Sequence, residues 1–184
     1  MKMNYCYIAL MGIVMFFLSG CYSYGPIHKP YGYNKRTSEY KTYYINKTFN
    51  EVKTNLPEAS IEIVKDSIKI LFPDHIIYQL QEIEPSMRYK EPLDKLSSLL
   101  NIYNETNLLI TGHCDNTGTV QFNKKLSTNR AAFIKKYLVQ TGMSSTRIET
   151  WGLGSSAPIE SNSTPEGRKK NRRVEFVVLY DSGE

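Results

Sequence analysis

Between residues 60 and 180 the hydrophobic period switches repeatedly between two and about 3.6, and the order of those switches leaves few architectures open. Ile61 and Ile63, then Ile68, Ile70 and Phe72, alternate with polar residues on either side of Asp66-Ser67, the pattern of two short strands around a turn. Leu93, Leu96, Leu99 and Leu100 recur at helical spacing, which predicts an amphipathic helix over about 92–103. Leu108-Leu109-Ile110, bounded by Asn107 and Gly112, suits a buried strand, and a helix over about 121–140 follows, stopped by Gly142. Residues 147–151 and 174–180 supply two more strands, while Pro73 to Pro85 reads as irregular chain. Strand and helix in this order predict an α+β domain, a mixed sheet with helices packed on one face.

One charge in this pattern stands out of place. With Leu126 set at zero and about 100° per residue, Phe133, Tyr137, Ile134 and Leu138 fall in a stripe from about −20° to about 120°. Lys124, Lys125, Lys135 and Lys136 gather opposite, between about 160° and 280°. Arg130 lies within the apolar stripe at about 40°, with Asn123 at about 60°. A guanidinium on a buried face is costly unless an anion pairs with it. Such an arginine either snorkels or makes a structural ion pair, or it waits for a ligand. Asp115, in Gly112-His113-Cys114-Asp115-Asn116-Thr117-Gly118 at the end of the preceding strand, is the nearest suitable carboxylate. Together the two would receive a zwitterion, the carboxylate taking an ammonium and the guanidinium a carboxylate.

The N-terminus carries a different message. Tyr5 to Leu18 is an uncharged run of fourteen residues after Lys2, shorter than the about 20 that span a bilayer and suited to a secretory signal. Leu18-Ser19-Gly20-Cys21 then resembles the bacterial lipobox, which implies cleavage before Cys21 and acylation of its thiol and new N-terminus. Several acyl chains anchor firmly where one alone is marginal. Tyr22 stands where related lipoproteins retained in the inner membrane carry Asp, so the outer membrane is the expected address, with the domain in the periplasm. Of Cys6, Cys21 and Cys114, the first leaves with the leader and the second has its thiol acylated, so no pair remains for a disulfide. From 22 to 58 the periodicity fades among Gly, Pro and Lys, the mark of a flexible tether. Its seven tyrosines (Tyr22, Tyr24, Tyr31, Tyr33, Tyr40, Tyr43 and Tyr44) fit a bare spacer or a docking segment. The expected organisation is a signal peptide over 1–20, a lipidated tether over 21–58 and a domain over 59–184.

Gly112 to Gly118, Phe122-Asn123 with Leu126-Ser127, Arg130-Ala131, Tyr137-Leu138, Gly152-Leu153-Gly154 and Asn171-Arg172-Arg173-Val174-Glu175 resemble, in order and spacing, the signatures of the OmpA-like C-terminal domain. That resemblance covers about residues 60–180 and implies non-covalent binding of peptidoglycan through the diaminopimelate of the stem peptide. It assigns the clasp on the ligand's amino-acid head to Asp115 and Arg130, with hydrogen bonds from Thr117, Asn123 and Arg172. Two departures accompany it. Cys114 replaces a usual Thr or Ala and, by strand alternation, should face away from Asp115. Ile76 to Gln81 lacks the Phe-Asp pattern usual in that loop.

Other chemistry finds little footing. His113 and Cys114 diverge as strand neighbours, which removes a nucleophile–base dyad. His113 and Asp115 should share a face, but zinc needs at least three protein ligands, so neither an enzyme nor a metal or cofactor protein is expected. Gly152 to Ala157 mimics a dinucleotide loop, yet Pro158 stands where the helix should begin. The net charge of +5 falls to +4 without Lys2 and selects no partner. Export argues against nucleic acid as the target of Arg168, Lys169, Lys170, Arg172 and Arg173. The alternative function is a structural part of an envelope machine, since lipoproteins with this domain also occur in type IVB (Dot/Icm-type) secretion systems and in the Tol–Pal link. Asp115-Asn116-Thr117-Gly118 resembles the general OmpA form more than that of Pal.

Overall fold

A computed structural model of the chain describes residues 34–72 and 90–181. Strands β1 (Ser60–Val64) and β2 (Ser67–Leu71) form an antiparallel hairpin, and Lys65 takes a left-handed conformation (φ 56°) in its turn. Strand β2 pairs antiparallel with β5 (Val174–Tyr180), β5 pairs antiparallel with β3 (Thr106–His113), and β3 pairs parallel with the edge strand β4 (Ile148–Gly154). The sheet order is thus β1-β2-β5-β3-β4. Register places Ile70, Phe176 and Ile110 side by side, and these side chains form the sheet half of one hydrophobic core. Helices α1 (Ser38–Asn55), α2 (Lys90–Ile102) and α3 (Val120–Gln140) supply the other half, so the expected α+β class and open mixed sheet are present.

Helix α1 corrects the expected tether. Its N-cap, Thr37, accepts a hydrogen bond from the Tyr40 amide, and Tyr40, Tyr44, Ile45, Thr48 and Val52 form a buried stripe at helical spacing. Tyr44 meets Tyr103 and Tyr180 edge-on, at ring separations of 5.8 and 5.5 Å, and its hydroxyl accepts from the Glu105 amide at 3.1 Å. Lys35 pairs with Glu105 at 2.8 Å, and the Tyr180 hydroxyl donates to the Lys35 carbonyl at 2.9 Å. The domain therefore begins near Asn34, not at residue 59. The stripe is hard to read because it is built from tyrosine and threonine among lysines and asparagines, with little leucine or isoleucine to mark the period. The leader, Cys21, the remaining tether to Tyr33 and the irregular chain from Pro73, Ile76 to Gln81 included, lie outside the described residues.

Helix α3 also shifts the wheel. Its buried side chains are Asn123, Ser127, Arg130, Ala131, Ile134 and Leu138, a stripe centred near about 90° on the same wheel. Leu126, Phe133 and Tyr137 flank it half-buried. A short helix α4 (Pro165–Asn171) precedes β5 and was not expected, since only Gly167 and Asn171 are buried and no apolar period marks it.

Candidate functional site

The sheet and α3 touch almost backbone to backbone. A Cβ on Gly112 would lie 2.2 Å from the Ser127 carbonyl oxygen, and one on Gly152 would lie 2.3 Å from the Thr128 amide nitrogen. Any larger residue would push the helix off β3 and β4. This contact brings the polar side chains of the first turns of α3 to the loop that leaves β3. Arg130 sits well into the helix, but helical side chains tilt toward the N-terminus, which carries the guanidinium up to the same place.

The result is a pocket of about 320 Å³ at the C-terminal end of β3 that gathers Asp115, Thr117, Asn123, Arg130 and Arg172. All five polar residues expected from the sequence line it. Asp115 and Arg130 are 5% and 3% exposed. The Asp115 carboxylate takes Arg172 Nη1 on Oδ2 at 2.7 Å and the Thr117 amide on Oδ1 at 2.8 Å, with the Thr117 hydroxyl donating to Oδ1 as well. Burial alone would raise this carboxyl, but the Thr117 and Arg172 bonds outweigh it and hold the pKa below the usual range. Asn123 Nδ2 donates to the carbonyls of Asp115 and Thr117, at 3.1 and 3.0 Å, and so pins the loop to the helix. Gly118, Phe122 and Leu126 make an apolar wall. One carboxylate and two guanidiniums leave the site with a net positive charge, and with its apolar wall it is shaped for a short-chain amino acid or acid.

Cys114 also lines the pocket, against expectation. Strand alternation ends with β3 at His113, so it does not separate Cys114 from Asp115. The thiol donates to the Asn123 carbonyl at 3.5 Å, and burial pushes its pKa up against the opposing pull of Arg130. His113 and Asp115 do not share a face either. Gly112 faces α3, so His113 turns to the reverse side of the sheet, where its Nε2 lies 3.8 Å from Glu175 Oε1. Arg173 pairs with the same Glu175 oxygen at 2.7 Å, and Lys69 lies at 3.4 Å. Both ring nitrogens of His113 are buried without a hydrogen-bond partner.

Burial, then Arg173, lowers the His113 pKa from 6.5 to about 4 despite Glu175. The unfolded chain binds this proton more readily, so the contribution is intact above pH 6.5 and is lost as pH falls toward 4. The unfolding free energy from urea titrations should fall through this window, at up to roughly 1.4 kcal/mol per pH unit, and His113→Gln should flatten that slope. An unchanged slope in the variant would assign the acid sensitivity to other groups.

An open mixed sheet with helices on one face, and a carboxylate and two arginines at the end of its third strand, define a small α+β domain with a charged pocket at one end of its sheet. Residues 78–172 match the OmpA family, and the chain belongs to that family. It is similar to the peptidoglycan-binding protein ArfA of Mycobacterium tuberculosis, with 47% identity over 88 residues, covering 48% of this chain and 27% of that protein. It is also similar to the outer-membrane lipoprotein YfiB of Pseudomonas aeruginosa, with 35% identity over 112 residues, 61% of this chain and 63% of that one. The chain thus spans about a quarter of ArfA and somewhat under two thirds of YfiB. Among solved structures, a MotB-like protein of Desulfovibrio vulgaris superposes with a TM-score of 0.71 at 23% identity, over 78% of this chain and 95% of that one. The cell wall anchor of the T6SS from Pseudomonas aeruginosa gives 0.62 at 23% identity, over 74% and 97%. At these identities the two superpositions show a shared fold.

Proposed function

We propose that this chain is an outer-membrane lipoprotein whose periplasmic domain grips peptidoglycan through the diaminopimelate of the stem peptide. The observation that carries the reading is the convergence of buried Arg130 with the Asp115–Arg172 pair in a single pocket. The free head of diaminopimelate is a zwitterion on a short aliphatic chain. Its carboxylate suits the guanidinium of Arg130, and its ammonium suits Asp115, whose Oδ2 keeps a lone pair beyond the one used by Arg172. Thr117 and Asn123 shape the loop that presents Asp115, and Phe122 and Leu126 lie where methylenes would rest. The names of the relatives, a peptidoglycan-binding protein and an outer-membrane lipoprotein, point the same way.

The domain's architecture agrees with a tethering role. Lys35 and Tyr180 meet at the N-terminal end of β3, whereas the pocket opens past its C-terminal end, a strand length of about 26 Å away. A chain entering near Asn34 therefore leaves the pocket facing away from its point of attachment. With α1 part of the domain, only the twelve residues 22–33 remain as linker, about 40 Å when extended.

Pelleting with purified sacculi tests the reading. The mature chain should sediment with sacculi whose stems carry meso-diaminopimelate, free meso-diaminopimelate should compete, and sacculi with lysine at that position should retain little. Equal retention by both sacculus types would sink it. Attachment is tested separately: Cys21→Ser should abolish labelling by a clickable fatty acid and leave an unprocessed precursor, whereas persistent labelling would place the lipid elsewhere.

A further inference from the structure

Behind the pocket, the carboxamide of Asn171 joins two loops that contain almost nothing apolar to hold them. Asn171 is fully buried, and its amide is saturated. Its Oδ1 accepts from the Ile159 and Glu160 amides at 2.8 and 3.0 Å, and its Nδ2 donates to the Glu160 carbonyl at 2.8 Å and to Asn162 Oδ1 at 2.9 Å. That same Asn162 oxygen accepts the Asn116 amide at 3.3 Å, and the Asn162 carbonyl accepts from Arg168 Nη1 at 2.9 Å.

The chain order makes this arrangement more than a loop staple. Asn116 follows Asp115, and Arg172 follows Asn171. The two segments that supply the ion pair of the pocket are therefore joined a second time, one residue away on each side, by the relay from Asn171 through Asn162 to Asn116. The ion pair joins a half-buried arginine to a loop carboxylate at 2.7 Å. Arg172 is also the C-cap of a seven-residue helix, too short to fix its own orientation by packing. A second connection narrows that freedom: it is anchored on the buried Asn171 amide, whose donors and acceptors are all used, and it is closed by the exposed 3.3 Å bond from the Asn116 amide to Asn162. Neither asparagine lines the pocket.

We infer that Asn162 and Asn171 are positioning residues that hold the Asp115 loop in register with Arg172, and so set the spacing of charges offered to the ligand. The inference rests on the proposed diaminopimelate reading, and its experiment can fail separately from it. A muramyl tripeptide ending in meso-diaminopimelate is titrated into the mature chain and its variants by calorimetry. Asn162→Ala should weaken binding about 3- to 10-fold, the scale of one or two lost hydrogen bonds. Asn162→Asp keeps an acceptor oxygen for both N–H groups and should bind within about twofold of the parent. In an Arg172→Ala background, where there is no ion pair left to place, Asn162→Ala should add almost nothing. Unchanged affinity in Asn162→Ala, failure of the Asp variant to restore binding, or full additivity with Arg172→Ala would each overturn the inference. Arg130→Ala binding like the parent would instead overturn the diaminopimelate reading.

Discussion

Arg130→Ala should lose about 2–5 kcal/mol of binding to diaminopimelate-containing sacculi, a factor of roughly 30 to several thousand in Kd. Arg130 is buried, yet it lines a pocket, so removing it deprives the ligand carboxylate of a desolvated guanidinium. The fold should survive the change, because α3 is held by Asn123, Ser127, Ala131, Ile134 and Leu138 and by the close approach of Gly112 and Gly152. Asp115→Ala changes the loop as well as the ligand contact. It would also strip the Thr117 amide and hydroxyl of their acceptor and release Arg172, so loop geometry and ligand contact would be lost together. Arg130→Lys should fall between, since it keeps the charge and loses the bidentate fork. The measurement is the pelleted fraction across a sacculus titration, with circular dichroism confirming the fold. Parent-like pelleting by Arg130→Ala would remove the arginine from the ligand site.

Tyr44→Ala should destabilise the domain by about 3–5 kcal/mol, the range for emptying a large buried aromatic site. The ring is 5% exposed and packs edge-on against Tyr103 and Tyr180, and truncation would also leave the buried Glu105 amide without its acceptor. A loss of this size is a large share of the stability of an ordinary domain. By contrast, exchanging residues 22–33 for Gly and Ser at equal length should leave the urea midpoint of the domain where it is. If Tyr44→Ala unfolds at the parent's midpoint, α1 contributes no stability and the domain starts later in the chain. If the exchange of 22–33 keeps stability but loses a protein partner in crosslinked membranes, those four tyrosines form the docking segment.

How much of this was legible beforehand differs from element to element. Strands β1 and β2 and helix α2 were readable because their leucines and isoleucines repeat with a clear period, and β3 because Leu108-Leu109-Ile110 is a short apolar run between Asn107 and Gly112. Helix α1 was not, because three of the five residues in its buried stripe are tyrosine or threonine, residues equally at home in a linker, with only Ile45 and Val52 to mark the period. Helix α4 was not, because it is held by capping and by the Asn171 amide with no apolar face. The pocket residues were legible as a set, Arg130 by its misplaced charge and Asp115, Thr117, Asn123 and Arg172 by the ordered motifs. Cys114 was misplaced by extending strand alternation one residue too far.

Local order and residue chemistry, written along the chain, thus determined the alternation of strands and helices, the five polar residues of the pocket and the lipobox-like start. Tertiary structure alone decided what lies far apart in sequence but close in space. Asp115 accepts from Arg172 across the β3–β5 pairing, Tyr44 finds Glu105 and Tyr180 at the other end of the sheet, and Asn171 reaches Asn116 through Asn162. Periodicity reports which face of an element is buried, but it carries no information on which distant group a buried polar atom will meet. That choice falls to the sheet order and to the glycine contacts that set α3 against it.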